Sequence, residues 1–164
     1  MGKGAVVKFN SRKKAITWMT DRLLLDEARK AAKKAYAPYS RFKVGAAVLA
    51  ADGRIFFGCN VENASYGLSM CAERNAVAKA VSEGARDFEA IAVCADTTGP
   101  VTPCGACRQV LSEFSPSMRV IMAGRSGKAR TAALDRLLPE SFGPGYLRKR
   151  AKKRIGPKKH AGKR

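Results

Sequence analysis

The sequence predicts an α/β fold, a three-layer α/β/α sandwich built on a mixed sheet of about five strands. Helical and strand-like patterns alternate along most of the 164-residue chain. The first two strand-like runs flank a hairpin signal, Ala51-Asp52-Gly53. A later run, Phe88–Ala95, is almost continuously apolar and therefore indicates a strand that is buried on both faces. Together these features favour a sheet with helices on both faces.

The first helix is predicted from Asp21 to Tyr36. Leucine and alanine residues recur there at three- and four-residue steps, and Asp21 is of a type that caps helix starts. The run Ala37-Pro38-Tyr39-Ser40 ends this helix. The two hairpin strands follow, as Phe42–Ala50 and Arg54–Asn60.

The second half of the chain continues this alternation. Small and polar residues make Val61–Met70 a loop. The elements after it are a helix from Cys71 to Gly84, the strand Phe88–Ala95, a helix from Pro103-Cys104 through Phe114, the strand Arg119–Ala123, and a weaker final strand that the Gly124–Thr131 segment leads into.

The charge is concentrated at the two ends of the chain. Residues 1–20 carry 5 basic residues, residues 148–164 carry 10, and neither segment contains an acidic one. The segment 21–147 holds the other 17 basic residues and all 13 acidic ones. We therefore expect a basic N-terminal arm (1–20), one nearly balanced domain (21–147), and a basic tail (148–164) that is disordered when unbound.

Composition also indicates the compartment. The longest apolar-or-glycine run, Val44 to Ala51, is too short to cross a bilayer, and the N-terminus lacks the apolar stretch of a secretory signal. Five cysteines, an odd number, suit a reducing compartment better than a disulfide framework. We expect a cytoplasmic protein without a membrane partner, although the basic arms leave nuclear or organellar targeting open.

The most informative motif is Cys71-Ala72-Glu73, followed 30 residues after Glu73 by Pro103-Cys104-Gly105-Ala106-Cys107. A structural zinc usually has four protein ligands, whereas a catalytic zinc keeps three and leaves one position open. Three cysteines with a nearby glutamate have the spacing of the zinc site of nucleobase deaminases, C-x-E…P-C-x-x-C. We expect Cys71, Cys104 and Cys107 to bind one Zn²⁺ and Glu73 to act as the base.

Two simpler interpretations compete with this one. A lone Cys-x-x-Cys can be a redox pair, but a redox pair does not need the upstream cysteine and glutamate. A closed structural zinc would need Cys59 or Cys94 as its fourth ligand. Both lie in apolar, strand-like surroundings, where free cysteine behaves as a small hydrophobe. The only histidine, His160, lies in the basic tail, so it is not placed to be a ligand.

Elementary chemistry explains the residue types. Cys71 and Cys104 each begin a predicted helix, where unpaired backbone N–H groups lower a thiol pKa and favour the thiolate that binds zinc. Zinc lowers the pKa of a bound water to about 7, and one carboxylate can then move each proton in turn. Three thiolates make the metal a poorer Lewis acid, which Arg74 would offset by donating hydrogen bonds to them. Otherwise Arg74 is a surface helix residue.

Five segments resemble the small, homotetrameric, zinc-dependent cytidine deaminases of pyrimidine salvage, and the match covers about residues 21–147. They are Phe42-Lys43-Val44-Gly45-Ala46-Ala47, Asn60-Val61-Glu62-Asn63-Ala64-Ser65-Tyr66, Cys71-Ala72-Glu73-Arg74-Asn75-Ala76, Pro103-Cys104-Gly105-Ala106-Cys107-Arg108-Gln109 and Leu137-Leu138-Pro139-Glu140-Ser141-Phe142-Gly143. The resemblance implies hydrolytic deamination of cytidine and 2′-deoxycytidine to uridine and 2′-deoxyuridine, with release of ammonia.

The resemblance also implies roles for individual residues. Glu73 would transfer protons between the attacking water, ring N3 and the departing ammonia, and Phe142 would stack on the base from a neighbouring subunit. Arg74 and Gln109 would lie behind the zinc ligands. The remaining substrate contacts implied are Phe42, Asn60, Glu62, Ala64, Tyr66 and Ala72.

The segment Asn60–Tyr66 favours a nucleoside over a free base. Asn60 and Glu62 face the same side of an extended segment, where an amide and a carboxylate can bind sugar hydroxyls; alone, they would be two polar loop residues. Blasticidin S deaminases share the metal motif, but this segment looks like the nucleoside-binding form. Polynucleotide-editing deaminases usually have a histidine in place of the first cysteine, and Phe142 would exclude a long strand.

The runner-up is a nucleic-acid-binding protein in which the basic arms dominate. Basic runs of this kind are often phosphate-binding or nuclear-targeting segments, and they also arise from cloning or read-through. The N-terminal arm is weakly compatible with an organelle transit peptide as well. We expect nonspecific contact with nucleic acid through the tail.

Overall fold

The computed structural model describes the backbone of residues 7–151 and the side chains of residues 16–147. This part of the chain contains five α-helices, five strands and one short 3₁₀ helix. In chain order they are α1 (Val7–Ala32), β1 (Val44–Ala50), β2 (Ile55–Cys59), the 3₁₀ helix (Tyr66–Leu68), α2 (Ala72–Ser82), β3 (Phe88–Ala95), α3 (Gly105–Phe114), β4 (Arg119–Ala123), β5 (Ala129–Ala133), α4 (Leu134–Leu137) and α5 (Pro144–Ala151).

The strands form one mixed sheet in the order β2-β1-β3-β4-β5. β1 is antiparallel to both β2 and β3, β3 and β4 are parallel, and β4 and β5 are antiparallel. The parallel strands β3 and β4 are connected through α3. Helix α3 therefore begins near the C-terminal end of β3. The loop between β3 and α3 brings Cys104 to that end of the strand.

Two apolar cores lie on opposite faces of the sheet. On one face, Leu24 and Ala28 of α1 pack with Ala92 of β3. On the other face, α2 and α3 pack against Ile91 and Val93 of the same strand. β3 alternates between the two cores because successive side chains of a strand point to opposite faces. The predicted three-layer α/β/α sandwich is confirmed.

Helix α1 corrects the predicted bounds at both ends. It begins at Val7, not at Asp21, and passes through the expected boundary at residue 20. Residues 7–20 contain no glycine or proline, so nothing in the sequence stops the helix there. Asp21 is not a cap, because its carboxylate accepts a hydrogen bond from Arg119 Nη1 at 2.6 Å.

The helix ends four residues earlier than predicted, and the backbone of Tyr36 pairs elsewhere. Its N–H donates to the carbonyl of Asn60 at 3.1 Å, and its carbonyl accepts from the N–H of Glu62 at 2.8 Å. This pairing draws the end of α1 toward the loop after β2. It explains why periodicity alone placed the helix end too late.

The hairpin strands are slightly shorter than predicted, because the side chain of Asn60 replaces the next rungs of the ladder. Its Oδ1 accepts from the N–H of Val44 at 2.8 Å and its Nδ2 donates to the carbonyl of Phe42 at 2.8 Å. β3 and β4 have the predicted bounds. The final strand β5 is Ala129–Ala133, so it starts late in the segment that was expected to lead into it.

The C-terminal helices α4 and α5 were not predicted. α5 runs from Pro144 to Ala151 and so extends past residue 147 into the predicted tail. The first four residues of that tail are thus helical, which corrects the expected disorder there; residues 152–164 and His160 lie outside the described residues. No helix in the described part of the chain is long and apolar enough to cross a membrane.

Close packing of the helices on the sheet depends on two glycines. A Cβ at Gly58 in β2 would lie 2.5 Å from Ala76 N and 2.7 Å from Ala72 O, both in α2. A Cβ at Gly45 in β1 would collide with the backbone of α1 at Ala28 and Ala32. Since real Cβ atoms do not approach backbone so closely, any larger residue at these positions displaces a helix.

Candidate metal centre and substrate cleft

Three thiols converge where α2 and α3 begin. The Sγ atoms of Cys71, Cys104 and Cys107 all lie within 4.8 Å of one another, and Cys71 Sγ is 3.9 Å from Cys104 Sγ. Tetrahedral Zn²⁺ with Zn–S bonds of about 2.3 Å separates its sulfurs by about 3.8 Å. The donor type and the spacing both fit a zinc ion held by three thiolates.

Helix geometry sets this convergence. Cys71 is the residue before α2 and Cys104 the residue before α3, each with an extended backbone (ψ of 154° and 167°). Cys107 lies three residues later on α3, on the same face as Cys104, and is completely buried. Two helix N-termini, each the positive end of a helix dipole, therefore meet at the thiols.

Glu73 lies in the first turn of α2 and is 4 % exposed. Burial raises the pKa of this carboxyl group, and the charge of the Cys71 thiolate raises it further. Among the described residues, the clustered donor atoms come from the three cysteines alone, and Glu73 is not among them. The site thus has three thiols that are placed to hold a metal ion and a separate buried acid.

The protonation of the thiols reflects their mutual contacts. Hydrogen bonding from the Cys107 thiol, assisted by Arg74 and Cys104, lowers the pKa of Cys71 to about 5. The same contact with Cys71, together with burial, raises the pKa of Cys107. Cys71 is thus a thiolate at neutral pH even without a cation, so one ligand is already in the form that binds zinc.

Arg74 lies directly beside this cluster. Its Nη2 is 3.8 Å from Cys71 Sγ and 3.0 Å from the carbonyl oxygen of Ser69. The thiolate of Cys71 raises the pKa of Arg74. Its Nε is buried and has no hydrogen-bond partner within the part of the chain that the structure describes. The guanidinium therefore faces the thiols, where the sequence prediction expects it.

A cleft leads away from Cys71 along the loop after β2. It encloses about 360 Å³ and is lined by Asn60, Glu62 and Tyr66 of the predicted site. Tyr39 and Ser40 line it too, although their sequence pattern predicts only the end of the first helix. A glutamate two residues after Asn60 could have pointed to them, because its carboxylate needs donors nearby.

Glu62 and Asn60 are already partly engaged by the protein. The Glu62 carboxylate accepts from the N–H groups of Tyr39 (2.9 Å) and Ser40 (3.2 Å) and from the Ser40 hydroxyl. The Ser40 hydroxyl is the main cause that lowers the pKa of Glu62, so this group is ionised at neutral pH. The amide of Asn60 keeps one N–H and one lone pair beyond its two bonds to the start of β1.

The other predicted substrate contacts are spread around this region. Tyr66 is 75 % exposed and packs edge-on against Tyr39, with ring centroids 5.9 Å apart. Phe42 is 41 % exposed, Ala64 is exposed, and Ala72 is buried beneath the thiols at the start of α2. Phe42 and Ala64 are not among the residues that line the cleft.

Phe142 and Gln109 are in direct contact with each other. Phe142 is 59 % exposed on the loop before α5. The expected place of Gln109 is behind the zinc ligands, but its Nε2 donates to the carbonyl oxygen of Phe142 at 2.7 Å. The structure thus places Gln109 with Phe142.

Cys59 and Cys94 remain outside the metal cluster, which argues against a closed four-thiolate site. Cys94 is buried in the core beneath α1, and burial raises its pKa to about 11. A second cavity of about 470 Å³ lies near it on the α1 face, bordered by Arg29, Lys33, Lys43 and Arg125. None of the predicted site residues lines that cavity.

The fold and the site together define a class of protein. An α/β/α sandwich with three thiolate ligands, a buried acid and an adjacent cleft has the components of a zinc hydrolase with an open metal position. Residues 19–123 match the model of the cytidine and deoxycytidylate deaminase zinc-binding region. The chain belongs to this family, and the matched segment contains all three cysteines and Glu73.

The chain is also similar to individual proteins that are named cytidine deaminases. A cytidine deaminase of Sporosarcina psychrophila is 53 % identical over 73 % of this chain and 88 % of its own length. A probable cytidine deaminase of Dictyostelium discoideum is 44 % identical over 72 % of this chain and 80 % of its own. The crystal structure of cytidine deaminase from Burkholderia pseudomallei has a TM-score of 0.72 and 51 % identity, covering 74 % of this chain and 98 % of that one.

Proposed function

We propose that this protein is an enzyme that catalyses the zinc-dependent hydrolytic deamination of cytidine and 2′-deoxycytidine. In the reaction water adds its oxygen to C4 of the pyrimidine, the C4–N bond breaks, and uridine or 2′-deoxyuridine leaves with ammonia. The observation that carries the proposal is the cluster of Cys71, Cys104 and Cys107 beside the buried acid Glu73. The relatives named cytidine deaminase support the choice of substrate.

The three cysteines would hold the zinc ion, one per subunit. When bound there, zinc makes water acidic enough to attack at neutral pH. Arg74 donates toward Cys71 Sγ and so withdraws negative charge from the ligand set. The lowered pKa of Cys71, which lies at a helix N-terminus, reduces the competition of protons with the metal for this ligand.

Glu73 is assigned to proton transfer. Burial raises its pKa, so this pKa lies closer to neutral pH than that of an exposed glutamate. A group of this kind can take a proton from the attacking water, deliver one to ring N3, and later deliver one to the leaving amine. Its burial also keeps bulk water away from these transfers.

The cleft is assigned to the nucleoside. Asn60 and Glu62 would bind the ribose hydroxyls, with Glu62 held ionised and oriented by Tyr39 and Ser40. The backbone N–H of Ala72 at the start of α2 would contact the base. Phe42, Ala64 and Tyr66, all three exposed, would complete the pocket at its rim.

We further propose a homotetramer whose active sites are shared between subunits. Phe142 and Tyr66 are both largely exposed aromatic residues, which is the state expected of residues that a neighbouring subunit covers. In this arrangement Phe142 stacks on the base bound by an adjacent subunit. We assign residues 21–147 to the deaminase domain, in a reducing cytoplasm that keeps the three thiols available.

The basic ends are assigned a separate property. Residues 148–164 carry 10 basic and no acidic residues, and we propose that they bind polyanions without sequence preference. The segment 1–20 is the corresponding basic arm at the other end. Neither is needed to bind a neutral nucleoside.

The direct test is ammonia release from cytidine, 2′-deoxycytidine, cytosine, blasticidin S and single-stranded DNA, measured with the same zinc-loaded preparation. Turnover of the two nucleosides, with little or none of the other three substrates, supports the proposal. Preferential turnover of DNA or of the antibiotic would refute the substrate assignment. An inactive protein that binds DNA tightly would favour the nucleic-acid-binding alternative.

A further inference from the structure

Two residues hold Phe142 in place, and neither has a role in the chemistry proposed for the metal centre. Gln109 Nε2 on α3 donates to the Phe142 carbonyl oxygen at 2.7 Å. The ring of Tyr146 on α5 stacks on the Phe142 ring, with centroids 5.5 Å apart and planes inclined by 13°. One contact fixes the backbone of Phe142 and the other fixes its side chain.

The preceding residue on α3, Arg108, holds the start of the same segment. Arg108 Nη1 donates to the carbonyl oxygen of Leu137 at 2.8 Å, and its Nε donates to the carbonyl oxygen of Pro103 at 2.8 Å. Pro103 directly precedes the ligand Cys104. The segment 137–142 is therefore anchored at both ends to α3, the helix that contains Cys107 and directly follows Cys104.

These contacts are needed because the Phe142 side chain is exposed and would otherwise be free to change its conformation. A phenylalanine that is 59 % exposed on a loop has little packing of its own to select one rotamer. A ligand that stacks on such a ring would have to order the side chain on binding, and the conformational entropy lost would weaken the affinity. A stacked neighbour and a fixed backbone remove much of that loss beforehand, and the Phe142 side chain stays largely exposed and so accessible to a ligand.

We propose that Gln109 and Tyr146 are positioning residues that hold Phe142 ready to stack on the pyrimidine of the substrate. The inference rests on the proposed function, because it takes the ligand that stacks on the exposed Phe142 ring to be the base of a cytosine nucleoside. Gln109 acts through the backbone of Phe142 and Tyr146 acts through its ring.

The test compares steady-state kinetics of zinc-loaded full-length variants on cytidine. Gln109→Ala and Tyr146→Leu should each raise KM about 3- to 10-fold and leave kcat nearly unchanged, because the lost contact serves ground state and transition state alike. Tyr146→Phe keeps the stacked ring and should behave as the wild type. Glu113→Gln, an exposed change on the same helix, is the matched control.

A double-mutant cycle separates positioning from a general structural role. If Gln109 acts through Phe142, the combination of Gln109→Ala with Phe142→Ala should be no worse than Phe142→Ala alone. Additive effects would overturn the inference. So would unchanged KM in the single variants, or a loss of zinc in Gln109→Ala, which would show that Gln109 supports the metal helix instead.

Failure of the proposed function gives a different result. A wild-type protein that releases no ammonia from cytidine refutes the function and this inference with it. A fully active wild type whose Gln109→Ala and Tyr146→Leu variants are equally active refutes the positioning alone.

Discussion

Glu73 is a single buried carboxyl group that must serve several proton transfers, and it lies outside the set of metal donors. We predict that Glu73→Gln keeps its zinc and loses at least about 10²- to 10⁴-fold in kcat, because glutamine cannot carry a proton between water and substrate. Metal analysis together with turnover measurements checks this. Loss of zinc along with activity would make Glu73 a ligand and contradict the assignment.

The five thiols should differ sharply in reactivity. The pKa of Cys94 is raised to about 11 by burial, so about one molecule in 10⁴ is ionised there at pH 7. Cys71, with its pKa lowered to about 5, is a thiolate. After a chelator removes the metal, iodoacetamide should therefore label Cys71 rapidly and Cys94 only on unfolding.

Peptide mapping by mass spectrometry reads out that experiment. The zinc-loaded protein is its control, because coordinated thiolates react slowly and labelling of Cys71 should then be suppressed. Equal labelling of Cys71 and Cys94 in the native, chelated protein would contradict the assigned environments.

The residues that the sequence predicts best are those whose chemistry requires a fixed spacing. The metal cluster follows from two short motifs, because each places a cysteine at a helix start. Contacts made by backbone carbonyls were less predictable. Nothing in the residue types of Gln109 and Tyr146 shows that both meet Phe142, since that contact depends on where the chain turns after α4.

At the level of elements, the position of helix α2 depends on how closely it can pack against β2. Gly58 is the residue that permits this distance, since a Cβ there would lie 2.5 Å from Ala76 N. We predict that Gly58→Ala costs about 1–3 kcal/mol of unfolding free energy. It should also weaken zinc binding, because displacing α2 moves Cys71 relative to Cys104.

Denaturant unfolding and a zinc-affinity titration with a competing chelator test this prediction. Gly99→Ala is the control, because a Cβ at this exposed loop position meets no atom within 4 Å. A Gly58→Ala variant as stable as Gly99→Ala, with unchanged zinc affinity, would show that the sheet relaxes without moving the helix.

Elements with strong local patterns were predicted closely, and those set by distant partners were not. β3 and β4 matched to the residue because apolar runs with turn signals on both sides define their ends. The start of α1 was misplaced because a basic segment without glycine or proline is compatible with a helix as well as with a disordered arm. Its end was misplaced because Tyr36 pairs with the loop after β2.

At the scale of the whole molecule, shared active sites predict complementation between two defective subunits. Glu73→Gln subunits lack the acid, and Phe142→Ala subunits lack the stacking ring. In randomly reassembled equal mixtures, about a quarter of the sites should draw Glu73 from one subunit and Phe142 from another, and activity should recover to about that fraction. Each variant reassembled with itself is the control.

Confirmed hybrids without any recovery would contradict the sharing of sites. They would also show that Phe142 serves its own subunit or none. Mass measurement of the hybrids is needed alongside the assay, because unmixed homotetramers would give the same low activity.

The charge of the whole molecule leads to the last prediction. Residues 152–164 carry 7 basic and no acidic residues and follow directly after α5, which ends at Ala151. Truncation after Ala151 keeps the helix that carries Tyr146 and should leave cytidine kinetics nearly unchanged, because a neutral nucleoside gains nothing from electrostatic steering.

The same truncation should remove most of the salt-sensitive binding to nucleic acid. Each phosphate that the tail neutralises contributes about −0.9 to the slope of log affinity against log salt on duplex DNA, so the slope should become clearly shallower. Replacing the seven basic residues with glutamine in the full-length chain separates charge from length and should give the same two results. A large fall in cytidine turnover, with the oligomer and zinc content intact, would show that residues 152–164 contribute to the active site and that the deaminase domain extends beyond residue 147.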